Sequence, residues 1–217
     1  MNGTIDLPGG TQLLKIYHAP RTRGFRVVWL CEELGTPYQI IPVDMSPAYR
    51  RSPEWRKLNP VGKVPVMSDG ELVMFESGAM VQYVLDRYGD GRLQPRPGTA
   101  EHAIYLQWSW FAEATFARPL GEIVNHRRAF AETDQSPAVV EEMRARVWLC
   151  VEALDGALTG RDWLVGDEMT GADIMMGYTL MLVPPLAPGE LPPAVARYWA
   201  SLSGRPGFQA AVAAGKP

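Results

Sequence analysis

The sequence predicts two units in series, an α/β domain followed by an all-α domain. A strand–helix–strand run and then a strand–strand–helix run fill the first 89 residues. The stretch GDGRLQPRPG from Gly89 to Gly98 is dense in glycine and proline and has little to bury. Beyond it the apolar spacing is helical throughout. We assign residues 1–10 to a loose arm, 11–89 to the α/β domain, 90–98 to a linker and 99–217 to the helical domain.

The elements follow in order from local signals. Leu13 to His18 reads as a strand. Gly24 to Leu34 reads as a helix whose Phe25, Val28, Leu30, Cys31 and Leu34 form a broad apolar face, closed by Gly35 and Pro37. Tyr38 to Val43 is a second strand, and Ser52-Pro53 opens a short helix to Leu58. Pro65 sits inside Val64-Pro65-Val66-Met67 and cannot donate to a sheet ladder, so it implies an edge, a turn or a cis peptide. A cis bond there would turn the Val64 backbone outward, where an extended ligand could pair with it. An Asp69-Gly70 turn leads to a strand from Leu72 to Phe75, and Ser77 can cap a helix to Tyr88 whose Met80, Val81, Val84 and Leu85 repeat at helical spacing.

The helical half is punctuated in the same way. Thr99 to Arg118 carries Ile104, Tyr105, Trp108, Phe111 and Ala112 on one side, and Pro119 is expected to break or bend it. Ser136-Pro137 starts a long helix with serine as cap and proline first. Thr170-Gly-Ala-Asp173 has the form of a capping box that introduces a buried helix from Ile174 to Leu182. Losing that cap should cost about 1 kcal/mol. Helices near Pro193 to Leu202 and Arg205 to Ala213 complete the chain.

Composition bounds the function. The chain has 217 residues, 47% of them hydrophobic, without an apolar span of membrane length, as expected of a water-soluble globule. The start, MNGTIDLPGGTQ, lacks the charged flank and apolar core of a secretory signal. A net charge of −3 argues against nonspecific nucleic-acid binding. Cys31 and Cys150 both fall in apolar helical runs and read as core residues, which suits a reducing cytoplasm. None of His18, His102 and His126 has a metal-like partner spacing, so no metal is expected. Glu76-Ser77 at a helix start offers an acceptor for an ammonium group beside N–H donors for a carboxylate, the two charges of an amino-acid head group.

The segments YHAPRTRGFRVVWLCEELGTPY, NPVGKVPV, ESGAMVQYV and TGADIMMGY together resemble the successive landmarks of cytosolic glutathione transferases, near bacterial members of the serine-type theta, phi and tau classes. The resemblance spans Leu13 to Gln209. It implies a thioredoxin-like glutathione-binding domain followed by the helical domain. It further implies glutathione as co-substrate, a hydrophobic electrophile as second partner, a homodimer and a cytoplasmic, detoxifying role.

The implied chemistry is thiol activation. A free thiol titrates at about 8.5, and lowering that by about two units takes roughly 2.7 kcal/mol of preferential thiolate stabilisation. One hydrogen bond to a charged group supplies about 1.5 to 3 kcal/mol, so a hydroxyl at a helix N-terminus suffices. By the resemblance Thr22 takes the catalytic serine's place, although its branched Cβ restricts its aim, and it could instead cap the helix that follows. Tyr17 is the rival hydroxyl, while Arg23, and less so Arg21, would add positive potential. Arg50, Arg51 and Lys63 match positions that meet the glycine carboxylate, Val64 and Pro65 the strand that pairs with the cysteinyl unit, and Glu76 with Ser77 the γ-glutamyl site. The electrophile wall would come from Tyr105, Trp108, Phe111, Glu113 and Phe116, a stripe that could equally be core. A noncatalytic glutathione or ligand carrier of the same fold is the alternative, kept open by threonine at position 22.

Overall fold

A four-stranded mixed sheet begins the computed structural model, which describes residues 13–215. The proposed arm at residues 1–10 lies outside the described residues. Strands β1 (Leu14–His18) and β2 (Tyr38–Pro42) pair in parallel, joined by helix α1 (Gly24–Leu34). β3 (Val66–Asp69) lies antiparallel to β1, and β4 (Leu72–Phe75) closes a hairpin on β3, giving the order β2-β1-β3-β4. Short helices α2 (Pro47–Arg51) and α3 (Pro53–Leu58) precede β3, and α4 (Ser77–Tyr88) follows β4. Both short helices start with proline after a serine whose hydroxyl accepts from the third residue's N–H, Ser46 for α2 and Ser52 for α3. The sequence signals had shown only the second of them. Pro65 stays outside the ladder, and the Val64–Pro65 peptide is cis.

The helical half contains α5 (Ala100–Trp110), a π-helical turn (Phe111–Phe116), α6 (Ala117–Ala129), α7 (Pro137–Leu158), α8 (Gly171–Met181), α9 (Val183–Leu186), α10 (Pro193–Ser203) and α11 (Pro206–Ala214). Of the two outcomes expected at Pro119, a break does not occur: the helical run continues through it. Pro119 falls in the first turn of α6, just after the π-helical turn, where the wider backbone register separates the proline ring from the regular i−4 bonding it would disrupt. Ser136 precedes α7 as expected, but its hydroxyl makes no cap; its backbone N–H instead donates to His126 Nε2 at 2.9 Å.

α1 is the common wall of both halves. It packs against α4 on the sheet side and against α8 and α11 on the other, so Phe25, Val27, Val28, Trp29, Leu30 and Cys31 are all buried. Phe208 of α11 meets Phe25 and Trp29 edge-on, at ring separations of 5.2 and 5.0 Å. The chain's last helix thereby returns to its first. α8 is enclosed on all sides, and its start carries the capping box in full: Thr170 Oγ1 accepts from Ala172 N, while Asp173 accepts from Thr170 N at 2.7 Å. Asp173 reaches further than a cap needs, accepting also from Leu164 N at 3.1 Å and Tyr198 Oη at 2.7 Å. No described helix is long and apolar enough to cross a membrane.

Candidate functional site

Three chain segments converge at the start of α1. A methyl group on Gly24 would lie 2.5 Å from His18 Nδ1 and 3.2 Å from the Pro65 Cβ, so glycine is what lets the end of β1, the Val64–Pro65 loop and the first turn of α1 close together. Arg21 ahead of that turn has φ 61°, a left-handed conformation that a side chain makes costly. Thr22 does not cap the helix. The cap position belongs to Arg23, without a side-chain cap bond, and the Thr22 hydroxyl turns back to donate to the Ala19 carbonyl at 2.8 Å. Its other neighbour is His18 Nδ1 at 3.3 Å. His18 is buried, and desolvation lowers its pKa to about 4. Tyr17 points to the opposite face of the sheet and packs on Trp55.

The second helix start, that of α4, has the same character. Glu76 occupies the cap position with φ 78° and no side-chain cap bond, leaving its exposed carboxylate uncommitted to the helix. Ser77, expected as the cap, is instead the first helical residue, and its buried hydroxyl accepts from Arg26 Nη1 at 3.1 Å. Arg26 is 0% exposed and had no place in the sequence reading. Its guanidinium donates to Ser77, Glu113, the Met175 carbonyl and Thr179, and lies over the Tyr178 ring at 4.8 Å.

Glu113 comes from the π-helical turn and joins the two starts. It accepts from Arg26 Nη1 and from Arg23 Nε, the latter at 2.9 and 3.1 Å to its two oxygens. Burial opposes its ionisation, yet the two guanidiniums outweigh that and hold the carboxyl below the usual glutamate range. Burial pulls Arg26 down from the ordinary arginine value, which is high enough that the group stays charged. Arg26 is wholly buried against Glu113, while Arg23, 39% exposed, brings a second cation to the same carboxylate from the solvent side.

The remaining candidates separate into three groups. Arg50 is half-buried and donates to the Met45 carbonyl, while the backbone of α2 at Arg50 packs on Gly62 and so supports the loop that carries Lys63, Val64 and Pro65. The Asn59 amide holds that loop from inside by donating to the Lys63 carbonyl at 2.9 Å. Arg51 and Lys63 themselves are exposed. On the expected electrophile wall, Trp108 and Phe111 are half-buried and meet edge to face at 5.1 Å. Tyr105 and Phe116, at 1% and 0% exposure, belong to the core, and the Tyr105 hydroxyl donates to Gln82 across the two halves. Apolar periodicity alone cannot separate these two pairs. Cys31 and Cys150 are free, buried thiols; burial pushes Cys31 up to about 12 and raises Cys150. A cavity of about 640 Å³ lies away from all of these, between residues 90–95 and 165–170, where Arg205 and Glu33 on its wall bond each other.

Comparisons with known proteins agree on one family. The family models described as glutathione S-transferase N-terminal domain and C-terminal domain match residues 13–86 and 119–206. The Zea mays protein named glutathione S-transferase 4 is 30% identical over 192 residues, covering 83% of this chain and 83% of that protein. An Escherichia coli protein named as a disulfide-bond oxidoreductase is 28% identical over 169 residues, covering 75% and 76%. Among solved structures, a glutathione transferase from Phanerochaete chrysosporium determined with oxidized glutathione is 30% identical, covers 94% of this chain and 95% of its own, and superimposes with a TM-score of 0.84.

Proposed function

The chain belongs to the glutathione S-transferase family, and from that premise we propose that it binds reduced glutathione, holds its sulfur as a thiolate and directs it at an electrophilic carbon. The observation that carries this reading is the Arg26–Ser77 bond. Ser77 spends a lone pair on a buried cation, which leaves its proton and the α4 N–H groups for the carboxylate of a γ-glutamyl group. Glu76 beside it would take the ammonium group. Arg51 and Lys63 are placed to meet the glycine carboxylate from solvent, and the backbone of Val64 to pair with the cysteinyl unit.

The sulfur then falls to the start of α1, where Thr22 is the hydroxyl available and Arg23 adds potential. Thr22 is in the position of the serine that the serine-type classes of the family use, and we place the chain with them. Trp108 and Phe111 form the wall for an apolar electrophile. The family likeness supports a homodimer and a cytoplasmic role. Were thiol–disulfide exchange catalysed instead, as the name of the Escherichia coli relative suggests for that protein, the sulfur would have to be glutathione's own, since Cys31 and Cys150 are buried and held protonated.

One observation favours a second reading, a glutathione-binding carrier without catalysis: the Thr22 proton points to Ala19. Glutathione titration followed by calorimetry and by the ultraviolet thiolate band separates the two. The transferase reading expects binding with a thiolate band that Thr22→Ala abolishes and Thr22→Ser keeps, together with turnover on a panel of electrophiles. Binding with neither band nor turnover establishes the carrier, and no binding removes both.

A further inference from the structure

Thr22 has two partners that engage different parts of its hydroxyl. A hydroxyl has one proton and two lone pairs. With the proton given to the Ala19 carbonyl at 2.8 Å, the 3.3 Å contact with His18 Nδ1 is a hydrogen bond only if the ring proton sits on Nδ1 and a Thr22 lone pair accepts it. For Thr22 to stabilise a thiolate, its proton must leave Ala19 and turn to the sulfur. The oxygen then loses one of its two anchors.

We propose that His18 is the positioning residue for this turn: its Nδ1–H holds Thr22 Oγ1 from behind while the hydroxyl proton swings from the Ala19 carbonyl to the sulfur of glutathione. The proposal rests on the thiolate-forming reading. The ring is suited to the task because it is closely packed. It is 3% exposed, a Cβ on Gly24 would lie 2.5 Å from its Nδ1, and a Cβ on Gly215, just past α11, would lie 3.4 Å from its Nε2. A donor behind an oxygen also polarises its O–H, so the bond that Thr22 gives the sulfur is strengthened as well as aimed. Desolvation keeps the imidazole neutral at physiological pH, so it carries a single proton, and which nitrogen holds it decides the matter.

The test uses the full chain with saturating reduced glutathione. The thiolate fraction is read from its ultraviolet band, and affinity from calorimetry, for wild type, His18→Leu and His18→Asn, the last keeping an N–H near the Nδ1 position. His18→Leu should lower the thiolate-to-thiol ratio of bound glutathione at neutral pH by about three- to tenfold, as expected for one hydrogen bond, with affinity falling no further than the linked loss of thiolate requires, and His18→Asn should restore most of both. An unchanged thiolate fraction in His18→Leu overturns the proposal. So does an equal loss of affinity and thiolate in both variants, which is the mark of a merely structural ring. Independently of whether His18→Leu folds, nitrogen NMR of the wild-type imidazoles, assigned with His102→Gln and His126→Gln, should show His18 as the Nδ1–H tautomer in the glutathione complex. The Nε2–H tautomer overturns the proposal, because a bare Nδ1 would compete with sulfur for the Thr22 proton. A wild-type protein that binds glutathione without a thiolate band fails the transferase reading itself, and this proposal with it.

Discussion

Helices α8 and α4 begin in opposite ways. At α8 the first N–H groups and the residues before them are met by Thr170 and Asp173, and Asp173 also fixes Leu164 and Tyr198. At α4 neither Glu76 nor Ser77 caps the helix, the backbone at Glu76 is left-handed, and the nearest hydroxyl is turned to a buried cation. The start of α1 is like α4: no side-chain cap, and a left-handed Arg21 just before it. Capping a helix start internally stabilises the fold and removes the donors from use. Leaving it open forgoes that stability and keeps the donors and the positive end of the helix dipole for a ligand. On the function proposed above, the same residue types at a helix start serve folding in one place and recognition in another.

Substitutions can break this contrast. The largest effect is expected from Asp173→Ala, which leaves the buried donors of Leu164, Thr170 and Tyr198 without their acceptor. We expect a loss of about 4 kcal/mol in urea unfolding, well above the cap alone, with glutathione affinity of the folded fraction unchanged. Glu113→Ala comes next. It strands Arg26 in the core and should cost about 3 kcal/mol while also disturbing Ser77, so stability and glutathione affinity should fall together in paired denaturation and binding measurements.

His18 sharpens the comparison through pH. Its folded-state pKa is depressed from 6.5 to about 4, so as pH falls the unfolded chain takes up the proton first. Its contribution is whole above about pH 6.5, declines between 6.5 and 4, and is gone below, a span worth about 3 kcal/mol. Unfolding curves at pH values across that window should show the decline in wild type and a shallower one in His18→Asn. The smallest effect on stability is expected at the open end itself. Ser77→Ala should cost about 1 kcal/mol in unfolding, because Arg26 loses one acceptor but keeps Glu113, Met175 and Thr179, and should weaken glutathione binding by about 2 kcal/mol, roughly thirtyfold, read by calorimetry. A fully stable Asp173→Ala, or a Ser77→Ala with wild-type affinity, would erase the distinction between the two kinds of helix start.

Local signals made much of the architecture legible. The bounds of α1, β4 and α4 follow from Gly35, the Asp69-Gly70 turn and the apolar spacing of Met80 to Leu85, all of which act within a few residues. The same reasoning did not find the π-helical turn ahead of Pro119, which meets a tertiary contact, Thr179 donating to the Ala112 carbonyl from α8. The polar centre of the site was illegible for the same cause. Arg26 looked like one more residue of an apolar helix, and its partners Ser77 and Glu113 are 51 and 87 residues away. His18 carried no visible signal either, since its partner is a hydroxyl one turn on and its burial depends on how Gly24 and the end of α11 close over it.

The position of Arg26 has a consequence for how the two halves can be exchanged. Its cation comes from the first half of the chain, while Glu113, Met175 and Thr179 come from the second. A chimera that joined residues 13–88 to a foreign helical half would inherit a buried charge with no counterion unless the donor supplied a carboxylate at the same point of its first long helix. The halves are thus matched parts rather than interchangeable modules, and a compatible graft can be chosen by asking for that one acid.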